Sequence, residues 1–317
     1  LIAKKYSTTP YMEALQSLKK RLKKNHPKYL NIQEEILQKT AGDIGEEAVM
    51  RFLEQVKLPY RFYAFHNISL LSESLIQLDI LIISPYYALI LEVKNIKGEL
   101  TFTTNPSQLV RRLENGKINV FDCPSLQLEE YEYQLNLVFQ KNNIPLPVFG
   151  AIVFAYSTSH IQASPSKTTI LTRKQIKPYL REMNIERPFL SNNELDLIKN
   201  YILNAHKEFQ PFPLIKYFSI NPDSIIHGVE CSNCNLIGMK KVQHNWFCPK
   251  CKNYQRNAHE KALKDYFLIY KNTMSNKECQ HFLKLDNKHQ ATRILKNTML
   301  IKTGQSRNTK YSIRSPK

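Results

Sequence analysis

Acidic side chains are in short supply in this chain. Its 317 residues hold 27 Asp and Glu against 45 Lys and Arg, a formal net charge of +18. Such a deficit points to a polyanionic partner. Cysteine is scarce as well. Six residues are too few for a disulfide scaffold, and four of them are spaced for a metal, which suits a reducing compartment. Long apolar runs are missing. The opening LIAKKYSTTPYMEALQ has no stretch like the core of a secretory signal. The uncharged run from Ile80 to Leu91 is interrupted by Pro85 and falls well short of the roughly 20 residues of a spanning helix. A cytoplasmic protein without membrane contact is the expectation. What is present, 42% apolar residues in a chain of this length, leaves room for two or three domains with cores of their own.

The positive charge lies at the two ends. Residues 1–41 carry net +6, 42–230 net −2, 231–251 net +3 and 252–317 net +11. The chain reads as a basic helical segment over 1–40, an α/β domain over 41–208 and a linker over 209–228, where three prolines fall. A cysteine module over 229–253 and a basic helical module over 254–317 follow. Within the α/β domain the spacing predicts a helix over 42–56, strands over 61–70, 77–83, 88–94 and 148–155, a helix over 125–141, and irregular chain over 101–125. Thr172 with Gln175, Ser191 with Glu194 and Ser275 with Glu278 are capping boxes.

The stretch QLDILIISPYYALILEVKN, 77–95, places acids inside apolar strands. If the chain turns between Pro85 and Tyr86, Asp79 falls opposite Glu92, about 5 Å away on the same face, with Lys94 one period further along. Two adjacent carboxylates beside an apolar core need a cation, and Mg²⁺ takes hard oxygen ligands at close range. Lys94 could then orient a water or stabilise charge on a phosphate. The alternative is an edge hairpin in which Lys94 forms a salt bridge with one acid. A slip of one residue would put the two acids on opposite faces. Glu46, three residues before Val49, could reach a metal or could cap its helix. Gln127, at the start of a helix, could bind a phosphate or a water, or could lie on the surface.

GDIGEE, the hairpin with Asp79, the run Glu92-Val93-Lys94-Asn95 ending in Gly98, and Pro124-x-x-Gln127 together resemble the nuclease-related domain, NERD. The resemblance covers roughly 40–160. It implies a PD-(D/E)xK, restriction-endonuclease-like core with a mixed sheet flanked by helices. It also implies hydrolysis of phosphodiester bonds with Mg²⁺ or Mn²⁺. On that resemblance Asp79 is the first acid, Glu92 and Lys94 the (D/E)xK pair, Glu46 the helix glutamate and Gln127 the glutamine that opens a later helix. Gln127 and Tyr131 also share the QxxxY spacing of RecB-type nucleases. Gln77 stands where a proline would precede the first acid. Because the superfamily includes inactive members, a non-catalytic DNA-binding or adaptor role on the same scaffold stays open.

Cys231-x₂-Cys234 and Cys248-x₂-Cys251 suit a structural Zn²⁺ held by four thiolates in a zinc ribbon. Beyond it, three short amphipathic helices and a basic hairpin resemble a small winged helix-turn-helix module. That likeness makes 287–298 the recognition helix, with Lys288, Arg293 and Lys296 toward nucleic acid and Arg307 and Lys310 on the wing. The same segment could instead be a packed helical cap. The expected partner is nucleic acid, DNA before RNA.

Overall fold

The computed structural model describes residues 1–156, 159–163, 167–183, 186–296 and 300–313. Strand β1 (Ile2–Lys4) opens the chain, followed by helices α1 (Pro10–Arg21) and α2 (Tyr29–Leu53). The chain divides into two compact units, Leu1–Thr8 with Gln38–Phe209 and Thr9–Leu37 with Gln210–Lys317. The first 40 residues are thus shared between the two units, and they include a strand.

The first unit is mixed α/β. Its elements after α2 are β2 (Tyr63–Leu71), β3 (Leu75–Ile83), β4 (Ala88–Lys94), β5 (Glu99–Thr104), β6 (Ser107–Arg112), β7 (Ile118–Asp122), α3 (Pro124–Lys141), β8 (Val148–Phe154), β9 (His160–Ala163), β10 (Thr169–Thr172), α4 (Ile176–Glu182) and α5 (Asn192–Ala205). Six strands form one sheet in the order β1-β2-β3-β4-β8-β10. β2, β3 and β4 run antiparallel to their neighbours in this group, while β4, β8 and β10 are parallel. Helices cover both faces, so β4 is buried along its length and reads as an unbroken apolar run. On one face Phe65, Leu81, Ile90 and Ile152 pack with Leu128 and Leu135 of α3 and Leu195 of α5. On the other, Ala64, Ile82, Leu89 and Val153 pack with Val49 and Leu53 of α2 and Ile176 of α4.

Residues 101–125, read from sequence as irregular, hold most of a second sheet in the order β7-β6-β5-β9. β5 and β6 are short and half exposed, and β7 leaves Ile118, Val120 and Phe121 exposed, so no buried apolar run marks them. The helix expected over 42–56 is the second half of the longer α2. Gly42 and Gly45 lie inside it, where each costs about 1 kcal/mol against alanine. Gly45 is needed there because a Cβ would stand 2.7 Å from Asn95 Cβ. The capping boxes at Thr172, Ser191 and Ser275 all form.

In the second unit α6 (Leu214–Tyr217) precedes a four-stranded antiparallel sheet of β11 (Val229–Glu230), β12 (Ile237–Val242), β13 (Asn245–Phe247) and β14 (Tyr254–Gln255). Helices α7 (Ala258–Ile269), α8 (Asn276–Leu283) and α9 (Lys288–Lys296) and the hairpin β15 (Leu300–Thr303)–β16 (Lys310–Ile313) follow. One core joins Leu15 and Leu18 of α1 to Trp246, Tyr266, Phe282 and Leu295. Leu214, Ile215, Ile220 and Ile225, from the stretch expected as a linker, are buried in it. Arg21 and Asp265 form a buried ion pair at 2.8 Å. No helix among the described residues is long and apolar enough to cross a membrane.

Candidate active site and four-cysteine cluster

The turn Ser84–Tyr87 sets the geometry of the acidic site. Ser84 Oγ accepts from the backbone N–H groups of Tyr86 and Tyr87 at 3.2 and 3.1 Å. The resulting register runs from Ile83↔Ala88 to Ile80↔Leu91, one step short of Asp79 and Glu92. The ladder stops there. Val93 N–H donates to Asp79 Oδ2 at 2.8 Å, so a carboxylate takes the donor that strand pairing would have used. The alternation of β3 also slips at this point. Leu78 and Leu81, separated by two residues rather than one, belong to the same core. Opposite them Phe65 and Ile68 do the same, with Asn67 between them at φ +48°. The sheet thus opens at Asp79 while β4 continues alongside β8 to Lys94↔Phe154.

Lys94 Nζ bonds Glu92 Oε1 at 2.6 Å and Gln127 Oε1 at 3.2 Å, and Gln127 Nε2 donates to Tyr131 Oη at 2.9 Å. The salt bridge foreseen as the alternative reading therefore exists. It lies on an interior strand of the sheet, with β3 on one side and β8 on the other. Gln127 is bonded on both sides and is half-buried in the first turn of α3. Gly150 lets α3 lie close on β8, since a Cβ there would meet Leu128 Cγ at 2.7 Å. Glu46 lies 17 residues into α2, far from any cap position. Its Oε2 is 2.8 Å from Nε2 of His66, a residue of β2 that is 1% exposed. Nothing in the motif reading pointed to His66, because its place in an apolar strand gave it the look of a core residue.

The electrostatics are strained. Burial, reinforced by Glu92 and then Glu46, pushes the Asp79 carboxyl well above its ordinary range. Asp79 still keeps some solvent-facing surface, but it is densely surrounded by protein. Burial also raises Glu92, in spite of the opposing pull of Lys94. Burial works against the Lys94 charge, but Glu92 and Asp79 outweigh it and hold that pKa above the usual lysine value. Glu92 Oε2 is buried and has no hydrogen-bond partner. A divalent cation of the Mg²⁺ kind fits this oxygen donor set, with Asp79 and Glu92 as the residues to hold it. Glu46, Asp79 and Glu92 do not form a closed cage, because their ligand atoms do not all come within 4.8 Å of one another. An ion that keeps several of its own waters suits such an open arrangement.

Among the described residues, Cys231, Cys234, Cys248 and Cys251 are the one group of three or more candidate ligands that meets that distance. Cys231 and Cys251 sulfurs lie 3.6 Å apart and those of Cys234 and Cys248 3.5 Å. A tetrahedron with Zn–S near 2.3 Å has edges of about 3.8 Å. The two knuckles are built alike. Asn235 N–H donates to Cys231 C=O and Lys252 N–H to Cys248 C=O, both at 2.9 Å, and Asn235 and Lys252 adopt φ of +58° and +60°. Hydrogen bonds from the Asn233 side chain and the Asn253 backbone lower the Cys251 thiol to about 6, while, against the Leu236 backbone hydrogen bond, burial and the other three sulfurs raise Cys234 to about 11. The cluster is compatible with a zinc ribbon.

In the second unit Lys288, Arg293 and Lys296 are exposed on α9, and Lys310 is exposed on β16. Arg307 falls in a short turn, and its side chain lies outside the described part, as do residues 297 and 298 of the expected recognition helix.

No curated protein and no solved structure matches the chain. Residues 41–155, which contain Glu46, Asp79, Glu92, Lys94 and Gln127, match the family model of NERD, the nuclease-related domain.

Proposed function

We propose that the first unit is a metal-dependent nuclease of the PD-(D/E)xK kind and that its substrate is DNA. The observation that carries this is the buried, unpartnered Oε2 of Glu92, one step past Ile80↔Leu91 where the β3–β4 pairing ends. Mg²⁺ or Mn²⁺, held by Asp79 and Glu92, would supply charge neutralisation and an acidified water for phosphodiester hydrolysis. Lys94 is already oriented by Glu92 and Gln127, and it places a cation where charge grows on the phosphate. Gln127 fixes Lys94, and Glu46 adds a third carboxylate from α2. In the second unit the zinc is structural. The three helices with the β15–β16 hairpin act as a winged-helix-like grip, in which Lys288, Arg293, Lys296, Arg307 and Lys310 meet phosphates. The division into a nuclease domain, a zinc ribbon and a helical module follows this reading. So does a cytoplasmic location, where thiolates stay reduced.

One observation favours a second reading. Lys94 closes directly on Glu92, so the acidic site can stand as an ion pair without metal. In that case the domain is a scaffold for a DNA-binding or adaptor protein. Incubating the full chain with linear, circular and single-stranded DNA, with and without Mg²⁺, separates the two. Metal-dependent cleavage supports the nuclease, and binding without cleavage supports the scaffold.

A further inference from the structure

His66 borders the acidic site through its contact with Glu46. It is fully buried on β2 beside the point where the sheet opens: His66 pairs with Ile80, the neighbour of Asp79. Its Nε2 lies 2.8 Å from Glu46 Oε2. Among the described residues its buried Nδ1 has no partner, so the contact with Glu46 is the ring's polar anchor there. The strand carrying it is fixed from the chain's start. Lys4 Nζ donates to the backbone carbonyls of His66 and Asn67 at 2.9 and 2.7 Å, and the Tyr6 ring lies 4.9 Å from the imidazole. Glu46, by contrast, keeps 17% of its side chain exposed on α2, and its charge adds to the burial that raises both the Asp79 and Glu92 carboxyls. Left alone, a glutamate repelled by two carboxylates turns away from them toward water.

We propose that His66 is a positioning residue. Its Nε2–H holds the Glu46 carboxylate beside Asp79 and Glu92, while Lys4 fixes the backbone that carries His66 and Tyr6 packs against the ring. This rests on the nuclease reading of the acidic site. A buried imidazole donating to a carboxylate is a common means of orienting it, and losing such a partner costs about 10- to 100-fold in activity or metal affinity.

Two variants separate positioning from packing. His66→Phe keeps the ring packed against Tyr6 but removes the donor. His66→Gln loses the ring but offers an amide donor to the same carboxylate. Each is measured in the full chain by single-turnover cleavage of duplex DNA with Mg²⁺, by KM for the duplex, by calorimetric Mn²⁺ binding and by melting temperature. The expectation is that His66→Phe slows cleavage about 10- to 100-fold and weakens Mn²⁺ binding, with KM and melting temperature unchanged. His66→Gln should recover most of the rate. In a Glu46→Gln background His66→Phe should add no further loss, because the two act as one unit. A His66→Phe protein that cleaves like wild type, or losses that simply multiply in the double variant, overturns the inference. Asp79→Asn is the control for the underlying reading. If it is dead while His66→Phe is fully active, only the positioning role falls. If wild type itself cleaves nothing with Mg²⁺ or Mn²⁺, both fall.

Discussion

Asp79→Asn should stabilise the first unit when no divalent cation is present. The amide can still accept the Val93 N–H, which Asp79 Oδ2 takes at 2.8 Å, and the two side chains are nearly equal in size. What disappears is the cost of burying the charge, together with the repulsion from Glu92 and Glu46. Two carboxylates about 5 Å apart repel by about 3 kcal/mol at an effective dielectric of 20. The protein can escape this by keeping Asp79 protonated. At pH 7 that costs about 4 kcal/mol, given an ordinary pKa near 3.9 and about 1.4 kcal/mol per unit. The cost of protonation caps the whole penalty, and Lys94 offsets part of it, so a gain of roughly 1–3 kcal/mol is expected. The sign with pH follows from the direction of the shift. Folding raises the pKa of Asp79 and of Glu92, so the native state binds more protons than the unfolded chain. Stability of the metal-free wild type therefore falls as pH rises from the ordinary carboxylate range through the folded pKa values, and Asp79→Asn should flatten that fall. The assay is urea unfolding at several pH values in magnesium-free buffer with zinc retained, followed by far-UV circular dichroism. The chain's single tryptophan, Trp246, lies in the second unit, so its fluorescence serves as an internal control that should not move. An Asp79→Asn protein less stable than wild type, with an unchanged pH slope, would refute the argument that the two acids oppose each other.

Protein purified without chelator should contain about one zinc per chain by elemental analysis, consistent with one four-thiolate site. Cys248→Ser should lower that content and shift the Trp246 fluorescence transition while leaving the transition of the first unit in place. Lys94→Ala should leave duplex binding unchanged and slow single-turnover cleavage by about 10²-fold or more. Replacing Arg293 and Lys296 together by Ala should reduce the log–log salt slope of duplex binding by roughly 2, since each phosphate contact contributes about 0.9. An unchanged slope would move the grip away from α9. Leu81→Ala, in the core under α3, should cost about 2–5 kcal/mol in urea unfolding, and its loss of activity should track unfolding alone.

The features legible in the sequence were those fixed by local rules. β4 is found over residues 88–94 as expected, because a strand buried on both faces is apolar without interruption and a proline turn bounds it. The turn between Pro85 and Tyr86 then sets the pairing that ends at Ile80↔Leu91, one step before Asp79 and Glu92, since pairing in a hairpin follows from its turn. The three capping boxes and the paired cysteine knuckles are also local patterns. Long-range approaches were not legible. Gly42 and Gly45 suggested a helix start, but α2 runs through them because Gly45 must pass close to Asn95. β5 and β6 are half exposed and β7 turns Ile118, Val120 and Phe121 outward, so none of them shows the pattern of a core strand. The prolines of 209–228 suggested a linker, and nothing local showed that Leu214 and Ile220 are buried. The pairing of His66 with Glu46 joins residues 20 apart on a strand and a helix, and no spacing rule connects them.

The central claim is that Asp79 and Glu92 form a cation-dependent centre for phosphodiester cleavage. It is tested most directly by single-turnover cleavage of a radiolabelled duplex by the full chain, in wild-type and Asp79→Asn forms, across a Mg²⁺ titration. The account predicts that wild-type cleavage rises with Mg²⁺ and saturates. Asp79→Asn should bind the duplex equally well and cleave it slower by orders of magnitude at every Mg²⁺ concentration. Equal rates in the two proteins, or wild-type cleavage that does not change when Mg²⁺ is withheld, would contradict it.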